Sequence, residues 1–419
     1  MARASRAGAR RLDGHDAVLR QHAEGSRRAT EPLAVSCTRK PASSAIVSAM
    51  RAPLVGATLI LTVFWGPGLA GCAALSHTPA ETQASPAAQS TPPGPARAVL
   101  PRVRLVATGG TISNRTGGRL TAEELVNSLP GIERYVRPEF EQFANIASGS
   151  LTVRHWIDLA NRINTLFIED SDLAGVVVTS GTDTLEETAY FLHLTVRTDK
   201  PVVVVGSMRN PSTLGYEGAA NLLEGYRVAG DPASRGKGVL VVLNDEINSA
   251  REVTKTDAHR LQTFQSRDYG FLGVVDADRV VYYRDVMKRH TGKSEFDVSH
   301  LEELPRVDVV MTYQGATGDI IKAVVDQGAR GIVIAAAGAG ATSGTQADGI
   351  RYAMDKGVFV VTTTRTGGGR IASRGRPPST SPLRIEGEDL APIKARILLM
   401  LALTKTKDAA DIQRMLTEY

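Results

Sequence analysis

Two groups of hydroxyl-bearing residues and one lysine are the parts of this sequence equipped for chemistry. The first group is "VRLVATGGTIS", Val103 to Ser113, in which Thr108 and Thr111 flank Gly109-Gly110. The second, "GVVVTSGTDTLEETAYF", Gly175 to Phe191, presents Thr179, Ser180, Thr182 and Asp183 close together. A threonine alcohol is a weak nucleophile until a base takes its proton, and a carboxylate such as Asp183 is a poor base unaided. An amine is wanted, and Lys255 in "REVTKTD" supplies one. A hydroxyl beside an amine is the pairing that activates such a nucleophile. The glycines would also suit a phosphate-cradling turn, but neither G-x-G-x-x-G nor a Walker pattern is completed. No metal is required, since the eight histidines form no ligand spacing.

Both groups stand at the ends of short apolar runs. Val103 to Ala107 and Gly175 to Thr179 read as strands of a parallel sheet, and in open α/β sheets ligands bind at the carboxyl ends of the strands. The hydroxyls of Thr108 and Thr111 are therefore expected to face a pocket, with Gly109-Gly110 adopting backbone conformations closed to residues with a Cβ. Hydroxyls and a carboxylate before the helix expected from Leu185 to Val196 suit a small polar ligand at the helix N-terminus. Other helices are expected at Ala122 to Leu129, His155 to Leu166 and Ala219 to Val228, with strands at Val202 to Val205 and Val239 to Leu243. "FLGVVDADRVVYYR", Phe271 to Arg284, alternates around Asp276-Ala277-Asp278 as a hairpin would. A second series follows, with strands at Val307 to Met311, Ile332 to Ala335 and Val358 to Val361 and a final amphipathic helix at Ile393 to Leu403. The pattern is an α/β fold. It has a larger N-terminal domain with a parallel-rich sheet flanked by helices and a smaller C-terminal α/β domain.

Charge and composition narrow the class. The chain has 419 residues, 42% of them hydrophobic, and a net charge of +5. Residues 1–50 carry nine Lys/Arg against four Asp/Glu, which accounts for the whole net charge; the remainder holds 40 of each. A neutral globular body without a basic stripe excludes a nucleic-acid partner. The two cysteines, Cys37 and Cys72, precede that body, so no disulfide framework holds it.

The N-terminal quarter reads as a leader. Met50-Arg51, an apolar run from Leu54 to Trp65 and Leu69-Ala70-Gly71-Cys72 have the order of a signal peptide, too short for a membrane span. "LAGC" resembles the bacterial lipobox, whose cysteine is lipid-modified; an ordinary signal peptide with a chance cysteine is the alternative. Residues 1–49 are a disordered extension or lie upstream of the true start, 50–71 form the signal peptide and 72–100 a Pro/Ala/Ser-rich tether. The N-terminal catalytic domain is expected over 101–290, a linker over 291–306 and the C-terminal domain over 307–419.

Taken together, "VATGGTIS", "VVVTSGTDTLEETAYFLHLTV", "KPVVVVGSMR", "GVLVVLNDEINSAREVTKT" and "FDVSHLEELPRV" resemble the bacterial L-asparaginase family, type II-like, from Arg104 to Tyr419. The resemblance implies hydrolysis of asparagine to aspartate and ammonia without a cofactor, by a homotetramer whose sites are completed between subunits. It makes Thr111 the nucleophile and Thr182, Asp183 and Lys255 a second triad. Ser148 helps hold the substrate, with Gly149, Gly110 and Gly181 beside it, and Asp183 also takes the substrate's α-amino group. Departures accompany it. "NRTGGRLTAEE", Asn114 to Glu124, lacks the tyrosine usual in the loop after the first threonine motif, and Arg119 and Tyr216 are both open as substitutes. Ser180 replaces a histidine, Gly149 a glutamine and Ala341 an asparagine, and no acidic residue lies between Thr366 and Ile385 where some members place one. The alternatives are a lipid-tethered amino-acid-binding protein with little turnover, and a glutaminase or another carboxamide amidohydrolase. The expected location is the periplasm, anchored to the membrane through Cys72 alone.

Overall fold

The computed structural model describes residues 99–372 and 383–419. The signal peptide, Cys72 and nearly all of the tether lie outside the described residues. The body opens with β1 (Arg102–Gly109), a hairpin of β2 (Asn114–Arg115) and β3 (Gly118–Arg119), helix α1 (Ala122–Asn127) and β4 (Arg137–Ile146). Then come α2 (Val153–Glu169), β5 (Leu173–Thr179), α3 (Leu185–Thr195), β6 (Val202–Val205), α4 (Gly218–Gly230) and β7 (Val239–Leu243). Next are β8 (Glu246–Ser249), the small pair β9 (Thr254–Lys255) and β10 (Phe264–Gln265), and the hairpin β11 (Gly273–Val275) and β12 (Val280–Tyr282).

The larger sheet runs β12-β11-β8-β7-β6-β5-β1-β4. β4, β1, β5, β6 and β7 are parallel, and β8, β11 and β12 join antiparallel. The central strands are buried on both faces, which is why β6 is four valines without alternation. On α2, Trp156, Ile157, Ala160 and Ile163 form one apolar stripe at helical spacing. The Trp156 indole N–H donates to Thr188 Oγ1 at 3.0 Å, satisfying its polar end inside the core.

The smaller sheet is β13 (Val307–Met311), β14 (Gly331–Ala336), β15 (Phe359–Thr364) and β16 (Arg384–Glu386), all parallel in that order. α5 (Asp319–Asp326) and α6 (Gln346–Asp355) connect its strands, and α7 (Pro392–Lys405) and α8 (Ala409–Glu418) follow. One apolar core runs from β5, α2 and α3 through α7 to β14 and β15, so the two sheets share it.

Several short elements, β16 and α8 were not expected, and β4 and α7 differ most. β4 falls where no strand was expected: it is a sheet edge, half polar and nowhere fully buried, so its sequence lacks the apolar run of its neighbours. α7 is neither amphipathic nor last. Its residues from Ile397 to Ala402 are all buried because α3, α8 and the smaller sheet cover it, and α8 ends the chain.

Candidate active site

Three strand ends meet because three glycines let them. Gly109 has φ +107°, and a Cβ there would lie 2.5 Å from the Ile146 backbone at the end of β4. Gly110, at φ +91°, comes so close to Gly181 that a Cβ would sit 2.3 Å from its nitrogen. A Cβ on Gly181 would in turn meet Ser148 Cβ and Oγ at 2.8 Å. Only glycine permits such approaches, which draw the ends of β1, β4 and β5 into one point. Thr111 and Thr182 each follow one of the two touching glycines.

Thr111 starts a 3-10 turn, Thr111–Ser113, and is half-buried. Thr182 is buried, and its Oγ1 accepts from Lys255 Nζ at 3.0 Å. The same ammonium donates to Asp183 Oδ1 at 2.8 Å. The Asp183 side chain is 81% exposed, against 16% for Lys255, so the triad reaches from the interior to solvent. Asp183 stands just before α3, where the positive end of the helix favours its charge. An open cleft of about 410 Å³ lies against Asp183, Glu186, Lys255 and Thr256.

The other expected residues vary in where they stand. Thr108 does not face a pocket: it is buried, its hydroxyl donating to Thr179 O at 2.6 Å and its N–H to Thr179 Oγ1 at 3.2 Å. These bonds bind β1 to β5 beneath the site. Ser180 is buried too, donating to Gly181 O at 3.3 Å. Ser148 is buried at the start of its own 3-10 turn, while Gly149 is exposed with open space where a side chain would be. Ala341 is exposed and bridges Ala337 through backbone bonds of 3.0 and 2.9 Å. Both proposed substitutes lie beside Thr111: Arg119 Nη1 donates to Gly110 O at 3.3 Å and Tyr216 Oη to Ile112 O at 2.9 Å.

Sequence reasoning missed two supports of Lys255. Glu186 is buried on the first turn of α3, and its Oε1 accepts from Lys255 N at 3.1 Å and Thr254 Oγ1 at 3.0 Å. Its Oε2 has no hydrogen-bond partner among the described residues. The signal was present, since Glu186 follows Asp183 by three positions and so shares its side of the helix start. Lys394 of α7 is buried and donates to Arg251 O at 2.9 Å and to Val253 O, gripping the segment that leads into Lys255. Burial pushes the Lys394 ammonium down to about 8, with Glu186 acting in the opposite sense.

Comparison with known proteins identifies the family. Residues 102–288 match the family model "Asparaginase, N-terminal", and residues 306–416 match "Glutaminase/Asparaginase C-terminal domain". The chain is 42% identical over 382 residues to L-asparaginase 2 of Bacillus subtilis, covering 87% of this chain and 98% of that one. It is 37% identical to the glutaminase-asparaginase of Pseudomonas fluorescens biotype A, over 76% and 91% of the two chains. A crystal structure of a probable cytoplasmic L-asparaginase from Campylobacter jejuni superposes with a TM-score of 0.72 at 40% identity, covering 76% of this chain and all of that one. With both family domains matched in order and near-complete coverage of its relatives, the chain belongs to the asparaginase family of amidohydrolases.

Proposed function

We propose that the protein hydrolyses L-asparagine to L-aspartate and ammonia through an ester on Thr111. The observation that carries the reading is the Lys255 ammonium lodged between the Thr182 hydroxyl and the Asp183 carboxylate, beside the glycine contact that brings Thr111 near. Thr111 Oγ attacks the side-chain amide carbon and passes its proton towards the leaving nitrogen. The C–O bond forms, the C–N bond breaks and ammonia departs. Water then attacks the ester, with Thr182 and Lys255 carrying its proton, and aspartate leaves as Thr111 regains its hydrogen. The backbone N–H groups at the glycine turns face the developing oxyanion, and Ser148 with exposed Asp183 holds the amino-acid end. Thr111→Ala in the full chain tests the reading: ammonia release from asparagine should fall to background, and a variant with wild-type turnover would remove Thr111 from the mechanism.

Glutamine is the second reading. The open space at Gly149, next to Ser148, leaves room for a longer side chain, and one relative is named a glutaminase-asparaginase. The ratio of kcat/KM for the two amides decides between them. We further propose a homotetramer, exported and anchored through lipid on Cys72, with the leader, tether, catalytic domain, linker and C-terminal domain divided as the sequence suggests. Light scattering that finds only an active monomer would overturn the first part. A Cys72→Ser variant that still fractionates with membranes would overturn the second.

A further inference from the structure

The carbonyls on either side of Thr111 are each held by a side chain from another part of the chain. Gly110 O accepts from Arg119 of the β2–β3 hairpin at 3.3 Å and from Ser113 Oγ at 3.1 Å. Ile112 O accepts from the Tyr216 phenol at 2.9 Å, a contact spanning 104 positions of sequence. The Tyr216 ring has a built seat. A Cβ on Gly218 would lie 2.4 Å from its Oη and its Cε2, so glycine at that position is what admits the ring.

The segment carrying Tyr216 is itself tied down. Glu217 accepts from Met208 N and, at 3.3 Å, from Arg209 N, closing the segment on itself. Thr116 N, in the turn of the β2–β3 hairpin, donates to Ser212 Oγ at 2.9 Å and fastens hairpin to segment. Burial, with Glu217 adding to it, pushes the Tyr216 phenol above its ordinary range, so it stays protonated and keeps donating across assay pH.

We propose that Tyr216 and Arg119 are positioning residues that clamp the turn bearing Thr111, holding its hydroxyl at the meeting point of the strand ends. The inference rests on Thr111 being the nucleophile and adds the device that aims it. Attack needs near-attack geometry, and a displacement of about 1 Å costs on the order of a hundredfold in rate. A turn whose flanking carbonyls are both fixed loses the freedom that would cause such displacement.

The test uses Tyr216→Phe in the full chain, a change that keeps the ring on its seat and removes one hydrogen bond. For asparagine, kcat should fall about tenfold while KM stays within about twofold, the pattern of a loss felt in the transition state rather than in substrate binding. Amide exchange across Gly109 to Ser113 should quicken, and the melting temperature should change little. Arg119→Met should behave similarly, with Arg119→Lys recovering part of the loss by restoring a donor. Tyr216→Phe with wild-type kcat, or with KM raised and kcat intact, overturns the clamp while leaving an active enzyme. A wild-type chain that releases no ammonia instead overturns the reading of function on which the clamp depends.

Discussion

Replacing Lys255 by methionine separates the catalytic worth of the triad from its structural worth. Methionine keeps nearly the same length and removes the two bonds of Nζ, to Thr182 Oγ1 at 3.0 Å and to Asp183 Oδ1 at 2.8 Å. The ion pair is mostly screened, since the Asp183 side chain is 81% exposed, so its loss costs about 0–1 kcal/mol. The Thr182 hydroxyl is buried and loses its amine partner, which adds about 1 kcal/mol. The backbone of β9 stays in place because Lys255 N still donates to Glu186 Oε1. A total near 1–2 kcal/mol shifts the melting temperature of a body this size by only a few degrees. Turnover answers to a different quantity. On the proposed reading Lys255 moves the proton at Thr182, and general acid–base loss is worth about 10²–10⁴ in rate. Lys255→Arg is the control: it restores the cation but offers no accessible neutral form, so it should recover stability and little activity. The assays are coupled ammonia release from asparagine and calorimetric melting on the same preparations. Lys255→Met turning over within tenfold of wild type would refute the proton-carrier role, and Lys255→Arg with full activity would reduce the lysine to a mere charge.

Three further outcomes follow from other contacts. His193 is fully buried, and desolvation with His290 and Arg251 nearby holds its imidazole well below the usual range, so the unfolded chain binds the proton and the native one does not. Stability should therefore fall as pH drops below about 6.5, and melting curves of His193→Gln should flatten that slope; an unchanged slope would exclude His193 as its source. Glu224 runs the other way: burial, with Asp245 beside it, pushes its carboxyl up to about 8, so its stabilising proton is fully present below the ordinary carboxyl range and lost as pH rises through about 8. Glu224→Gln should melt relatively higher than wild type at pH 9 than at pH 5, and an equal difference at both values would contradict this. Gly181→Ala would push a Cβ to 2.8 Å from Ser148 Cβ and Oγ, so KM for asparagine should rise; unaltered kinetics would show that Ser148 does not hold the substrate.

Much of the frame was legible because its signals are local. The valine runs of β5, β6 and β7 announce strands covered on both faces, and the stripe of Trp156, Ile157, Ala160 and Ile163 announces α2. β4 was illegible for the same reason in reverse: "RPEFEQFANI" has neither an apolar run nor a clean alternation, because an edge strand has water on part of its surface. That omission touches the site directly, since β4 ends at Ile146, just before Ser148, and supplies the backbone against which Gly109 packs.

The residues around the site sort by the range of their contacts. Thr182, Asp183 and Glu186 sit on one strand end and the first turn of one helix, so spacing alone places them together. The Lys255 bond to Thr182 spans 73 positions and the Tyr216 bond to Ile112 spans 104; neither leaves any periodic trace. Thr108 illustrates the converse error. It has the same residue type as Thr111 and lies three positions before it, yet β1 still has sheet geometry at 108 and turns only at the glycines, so its hydroxyl goes to Thr179 O and that of Thr111 is carried past the strand end. The reach of a hydroxyl is set by where the backbone leaves the sheet, and in this chain two positive-φ glycines mark that place to within one residue.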